Sequence, residues 1–203
     1  MYLKRPVESI ERLMSALNPG ATAYDLPRRR LLDIPVNEVW LVERGMVAVY
    51  RNRGQQLVYI AASPLILGVR NLFASPTEML MAEFLDVKSI AKISPEDLKT
   101  VLDEKGLWKD MANLISFYLE CMLTSHYRLV QRSDYEIIKG LIYEYTKLSD
   151  YVKERTTLAQ YIIEKGLISR SNVLRILSIL NKNGCITTTK GRLLTVMYLP
   201  EKL

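Results

Sequence analysis

Hydrophobic positions change their period along this chain, and each change marks a different kind of element. Residues 36–93 carry "VNEVWLVERGMVAVYRNRGQQLVYIAA" and later "EMLMAEFLDVKSIAKIS", β-branched and aromatic runs broken at Gly45 and Gly54. Short runs between turn residues predict antiparallel strands that form a barrel or a sandwich. "SPEDLKTVLDE" then reads as a helix start, with Ser94 as N-cap, Pro95 at the first helical position, and Glu96 and Asp97 in the first turn. Trp108, Met111, Ile115, Tyr118, Met122, Ser125 and Leu129 follow at alternating spacings of three and four. That heptad seam predicts a long helix paired with a partner, the alternative being a helix packed only on its own domain.

After Arg132 the pattern restarts. "SDYEIIKGLIYEYTKL" opens with a capping box, Ser133 and Glu136, and places Ile137, Ile138, Leu141, Ile142 and Tyr145 at helical spacing. Thr156 or Thr157 caps "LAQYIIEKG", which Gly166 ends, and Ser169 caps "RSNVLRILSIL". In that last helix Val173, Leu174, Ile176, Leu177 and Leu180 are the expected buried stripe, and Gly184 is the expected left-handed stop. "CITTT" and "RLLTVMYL" then read as two strands joined through Lys190 and Gly191.

Charge sharpens this picture. The net charge is +6, and Ser169 to Leu203 alone carries +5, leaving residues 1–168 at +1. A basic balance confined to one small region points to a polyanion such as nucleic acid, against the plainer reading of a solvated basic face. With 49% hydrophobic and 25% charged residues the composition is that of a soluble globular protein. No apolar run reaches the ~18 residues of a membrane span, and "MYLKRPVESIERLM" lacks the apolar core of a secretory signal. Two cysteines, Cys121 and Cys185, supply neither a disulfide framework nor a metal quartet, so a cytoplasmic location and no metal are expected. One histidine, His126, cannot supply the histidine cluster of a metal centre, and no Ser/His/Asp set is assigned to it, which argues against an enzyme.

Helix, short turn, helix and β-hairpin is the winged helix-turn-helix order, in which the second helix enters the major groove N-terminus first. On that geometry Ser169 caps the helix and meets a phosphate, aided by the positive helix end. Arg170 offers a fork to guanine, Ser171 and Asn172 reach base edges, and Arg175 lies one turn further on. Lys190 and Arg192 on the wing meet the sugar-phosphate backbone.

The whole order resembles the CRP/FNR superfamily of bacterial regulators. "LVERGMVAVY" resembles that family's hairpin with a glycine before a strand, and "PLILGVRNLF" the segment entering its phosphate-binding cassette. "SRSNVLRIL" resembles its recognition helix, usually Ser-Arg-Glu-Thr-Val-x-Arg-Ile-Leu. The resemblance implies an α+β chain. Residues 1–105 would form an antiparallel β-barrel of the cyclic-nucleotide-binding, jelly-roll type, residues 106–132 a dimerisation helix, and residues 133–203 a winged helix-turn-helix. It also implies a homodimeric transcription regulator bound to double-stranded DNA, with RNA polymerase a further candidate partner. More narrowly, "YIIEKGLISRSNV", "TTKGRL" and "LPEKL" are similar to an enterobacterial group named for inhibition of hydrogen peroxide resistance, which implies a regulator that lowers peroxide tolerance.

Departures from the family pattern narrow the effector. Where cyclic-nucleotide binders follow the cassette glycine with a ribose-binding glutamate, Gly68 is followed by Val69, and their phosphate-binding Arg-Ser positions align with Met79 and Leu80. A phosphate facing methionine and leucine loses its charge-assisted pair, so cyclic AMP is not the expected effector. No cysteine precedes Cys121 to hold an iron-sulfur cluster, and the single histidine, His126, lies on the dimer helix, so a haem sensor of that kind is not expected. Leu67, Val69, Met79, Leu80, Met81 and Phe84 then form either a filled core needing no cofactor or a pocket for an apolar effector such as a fatty acid. Ser171 replaces the family's glutamate, so the half-site should differ, and "EKGLI" reads about one residue longer than the usual turn. Cys121 is the candidate thiol for a peroxide switch. The competing reading is a CRP-like dimer that works through a hydrophobic ligand or protein partner and touches DNA non-specifically.

Overall fold

The computed structural model describes residues 4–27, 31–51, 56–73, 80–87, 89–130 and 133–203, with the backbone alone for 125–130. The chain divides into two compact units, Met1–Leu123 and Thr124–Leu203.

The first unit holds eight strands: β1 (Thr22–Asp25), β2 (Leu31–Asp33), β3 (Val39–Val42), β4 (Met46–Arg51), β5 (Gln56–Ala62), β6 (Leu65–Leu67), β7 (Met81–Leu85) and β8 (Ser89–Ile93). They form two antiparallel sheets, ordered β1-β8-β3-β6 and β2-β7-β4-β5. Among the described residues no ladder joins the two, so the expected barrel is a jelly-roll-like sandwich rather than a closed cylinder.

β3 shows how the sequence builds it. All four of its residues are buried, because its sheet is covered on both faces. Trp40 and Val42 point inward with Leu65, Leu67 and Ile90, and meet Val47, Val49, Ala82 and Phe84 of the other sheet. The Trp40 and Phe84 rings lie 5.7 Å apart across that interior, within the range of favourable aromatic pairs. Val39 and Leu41, with Ile66 and Ile93, face the opposite way.

Three helices cover that outer face: α1 (Val7–Leu17), α2 (Pro95–Lys105) and α3 (Trp108–Val130). They bring Ile10, Leu13, Leu17, Leu98, Leu102, Met111 and Leu114 into one core with the sheet. Ser94 caps α2 by accepting from the Asp97 amide at 3.0 Å. The Arg12 guanidinium grips the Asp110 carboxylate, Nη2 to Oδ1 at 2.6 Å and Nε to both oxygens at 3.2 Å, which fastens α1 to the first turn of α3. That hydrogen bonding holds the Asp110 carboxyl below its usual range.

The second unit contains α4 (Asp134–Thr146), α5 (Asp150–Arg155), α6 (Leu158–Gly166), α7 (Arg170–Lys182) and a hairpin of β9 (Ile186–Thr189) and β10 (Arg192–Val196). The Ser133/Glu136 capping box opens α4, whose Ile137, Ile138, Leu141, Ile142 and Tyr145 are buried as the spacing predicts. Thr157 caps α6. Tyr145 meets Tyr161 edge to face at 5.6 Å, and Glu144 accepts from Lys165 at 2.6 Å and Tyr161 at 3.1 Å, tying α4 to α6. A side chain on Gly166 would come within 3.0 Å of Leu141, so the glycine lets α6 close on α4. The left-handed stop is the next residue, Leu167, at φ 55.

Candidate nucleic-acid interface

α7 is held by one face and offers the other. Val173, Ile176 and Leu180 are buried, while Arg170, Ser171, Leu174, Arg175 and Ser178 are exposed. The expected stripe is therefore narrower than the sequence reading has it: Leu177 is half-buried, and Leu174 stands 46% exposed on the opposite side. Helical phase explains this, because Leu174 lies about 100° from Val173 and falls in the row of Ser171 and Ser178.

The polar head of α7 is pre-arranged. The Ser169 hydroxyl accepts from the Asn172 amide at 3.4 Å and lies 3.2 Å from the Ser171 hydroxyl. The Asn172 side-chain amide donates to the Asp134 carboxylate, and its oxygen accepts from Arg175 at 2.7 Å and 3.2 Å. Asn172, expected at a base edge, has its amide committed within the domain and acts on Arg175. Arg170 projects freely at the capped helix start, where the helix dipole adds positive potential.

The wing supplies a second basic surface. Lys190 and Gly191 both have positive φ, 50 and 78, as a two-residue type I′ turn requires. The Leu158 amide donates to the Gly191 carbonyl at 3.0 Å, which stitches the wing tip to the start of α6. A Cβ at Gly191 would lie 3.1 Å from the Thr157 methyl, so a glycine also suits this close approach.

Between α5 and the wing lies a cleft of about 480 Å³ whose charged lining is Lys153, Arg155, Lys190 and Arg192 with one acid, Glu154. Its cations are braced on neutral groups: Lys153 donates to the Thr146 carbonyl at 2.8 Å, Arg192 to the Glu154 carbonyl at 3.1 Å, and Arg155 lies 3.6 Å from the Tyr151 ring centre. Beneath them, burial pushes the Tyr145 phenol pKa up, and the Arg192 charge opposes the shift. Lys153 and Arg155 are absent from the sequence reading, because the Asp150–Arg155 helix carries no long periodic signal of its own.

In the first unit, α3 divides the residues of the heptad seam. Met111 is wholly buried in the unit's own core, with Trp108 and Tyr118 packed against that core. Those three pack on this domain's own core, where the sheet and α1 meet the first turns of α3, and Trp108 and Tyr118 keep part of their surface exposed. Exposed apolar side chains begin at Ile115 and continue through Leu119, Met122 and Leu123. The Ser125, His126 and Leu129 side chains lie outside the described residues. The candidate effector residues are also separated. Leu67 and Phe84 belong to the sandwich interior with Leu80 at its edge, Met81 is half-buried on β7, Val69 packs on the helix side, and Met79 lies outside the described residues. Burial and Glu120 push the Cys121 thiol pKa up, the opposite of what makes a thiol reactive.

Comparison with known proteins agrees with this architecture. Residues 134–201 match the family described as winged helix-turn-helix DNA binding. Over the whole chain the structure is similar to a c-di-GMP responsive global regulator from Xanthomonas campestris, with TM-score 0.72, 17% identity and coverage of 96% of this chain and 100% of that one. It is also similar to a CRP/FNR-family transcriptional regulator from Eubacterium rectale, with TM-score 0.67, 12% identity and coverage of 91% and 89%. The chain has the CRP/FNR fold. Among curated proteins it is similar to the Escherichia coli K12 protein named inhibitor of hydrogen peroxide resistance, 20% identical over 98% of this chain and 97% of that protein. Within the matched winged helix-turn-helix, α7 takes the place of the second helix and β9–β10 that of the hairpin. No helix among the described residues is long and apolar enough to cross a membrane.

Proposed function

We propose that this protein is a homodimeric transcription regulator that binds a specific, roughly palindromic DNA site and is not governed by cyclic AMP. The observation that carries the reading is the state of the basic side chains on α7, on the wing and in the cleft beside the wing. Arg170, Arg175, Lys153, Arg155, Lys190 and Arg192 have no carboxylate partner among the described residues. Cations left unneutralised on a recognition helix, a wing and the cleft beside it are suited to phosphates and base edges.

Ile115, Leu119, Met122 and Leu123 supply an apolar strip for a second copy of the chain, and a two-fold dimer places two recognition helices about one helical turn apart, ~34 Å. Trp40, Phe84 and their apolar neighbours line the sandwich interior. The similarity to proteins named for inhibition of hydrogen peroxide resistance supports a role in lowering peroxide tolerance.

Fluorescence anisotropy on a genomically mapped site and on random DNA tests the reading. Arg170→Ala should lose about 1–3 kcal/mol on the specific site and little on random DNA. Equal losses on both would overturn sequence-specific recognition.

A further inference from the structure

Leu174 has no role in the proposed reading as it stands, yet it occupies the middle of the face that α7 offers. It is 46% exposed and lies off the buried Val173, Ile176 and Leu180 stripe. Its neighbours along the row are Ser171 and Ser178, and Arg170 and Arg175 flank it, all exposed. A branched apolar side chain between two small hydroxyl residues projects beyond them. The helix surface there is a methyl-tipped knob with Arg170 and Arg175 on either side of it along the helix, the Arg175 guanidinium turned onto Asn172. Water exposure of that knob is unfavourable, and its own domain leaves nearly half of it uncovered.

We infer that Leu174 is a specificity-determining residue that reads the C5-methyl group of a thymine in the major groove. Duplex DNA is the occupant that the surrounding charge selects, since α7 carries Arg170, Arg175 and Lys182 and no acidic residue. In the major groove the thymine methyl is the apolar feature of a standard base pair, and the edges of guanine suit the flanking arginines. Leu174 lies four residues beyond Arg170, about 6 Å along the helix axis. The thymine therefore sits within roughly two base pairs of a guanine contacted by an arginine. With no acidic residue on α7 itself and the neighbouring Asp134 carboxylate engaged by Asn172, the preferred half-site pairs a thymine with one or two guanines.

The inference rests on specific DNA binding by α7, and the experiment separates the two claims. Each thymine of the mapped half-site is replaced in turn by deoxyuridine, which removes only the methyl group, and affinities of the wild-type protein and Leu174→Ala are measured on each duplex. One replacement should weaken the wild type about fourfold per half-site, the equivalent of one methyl, and should leave Leu174→Ala unaffected. Because Leu174 is on the surface, the variant's far-ultraviolet spectrum and melting curve should match the wild type. If no thymine replacement changes wild-type affinity, or one weakens both proteins equally, the inference is overturned while specific binding stands. If no site is bound in preference to random DNA, the proposed function itself fails.

Discussion

The Asn172 side-chain oxygen accepts two hydrogen bonds from the Arg175 guanidinium, at 2.7 and 3.2 Å, while its amide nitrogen donates to Asp134. Asn172 thus holds its neighbour Arg175 and anchors α7 to the start of α4. Asn172→Ala should free Arg175 and unfasten that contact. The expected result is a loss of discrimination between specific and random DNA of about 1–3 kcal/mol, with affinity for random DNA nearly unchanged. Titrations on both duplexes check it.

The cleft between α5 and the wing predicts a salt effect rather than a sequence effect. Lys153→Gln combined with Arg155→Gln removes two cations that could release counterions from the phosphate backbone. The slope of log affinity against log salt should become shallower by about 2, equally for specific and random DNA. A slope that stays at the wild-type value would remove α5 from the interface.

Two substitutions on α3 should behave in opposite ways. Leu119→Glu places a charge on the exposed strip and should leave a folded protein that sediments as a monomer. Met111→Ala empties a fully buried position and should cost about 2–5 kcal/mol of stability. Denaturant unfolding and analytical ultracentrifugation on both variants distinguish them. Loss of folding in the first would show that the strip is part of this domain's own core.

Asp110 fixes an acid-side dependence. Its carboxyl is held below the usual range, first by the Arg12 hydrogen bonds, with burial working against them. A depressed folded-state pKa contributes stability above the unfolded carboxyl value and loses it as pH falls through the folded one. Asp110→Asn should therefore lower the Tm at neutral pH and flatten the decline of Tm between about pH 5 and pH 3. Melting curves across that interval read out the difference.

Legibility in the sequence follows how local each signal is. Ser133, Thr157 and Ser169 are caps whose partners lie three residues away, and Lys190–Gly191 is a turn complete in two residues, so the second unit is readable piece by piece. β3 is harder, because "VWLV" is apolar at every position and its division between two cores appears only when both covering layers are present. The sequence reading assigns no element to residues 7–17, whose role depends on distant α3 contacts such as Arg12 to Asp110. Leu174 is misplaced for the reverse reason: an apolar residue beside a buried stripe is read as part of it until the helical phase is fixed by tertiary contacts. Lys153 and Arg155 join the wing only through the fold.

α3 begins as an internal strut, with Met111 and Leu114 sealed in the domain, and within the next three turns presents Leu119, Met122 and Leu123 to the outside. Inserting a single residue between Leu114 and Ile115 would turn the outer strip by about 100° against the anchored portion while preserving every side chain in it. The helix is thus a phase standard, sensitive to residue count where it tolerates residue identity. Insertions and deletions in this segment should be far more damaging than conservative apolar exchanges, a signature that a deep mutational library would display as a sharp band between Leu114 and Leu119.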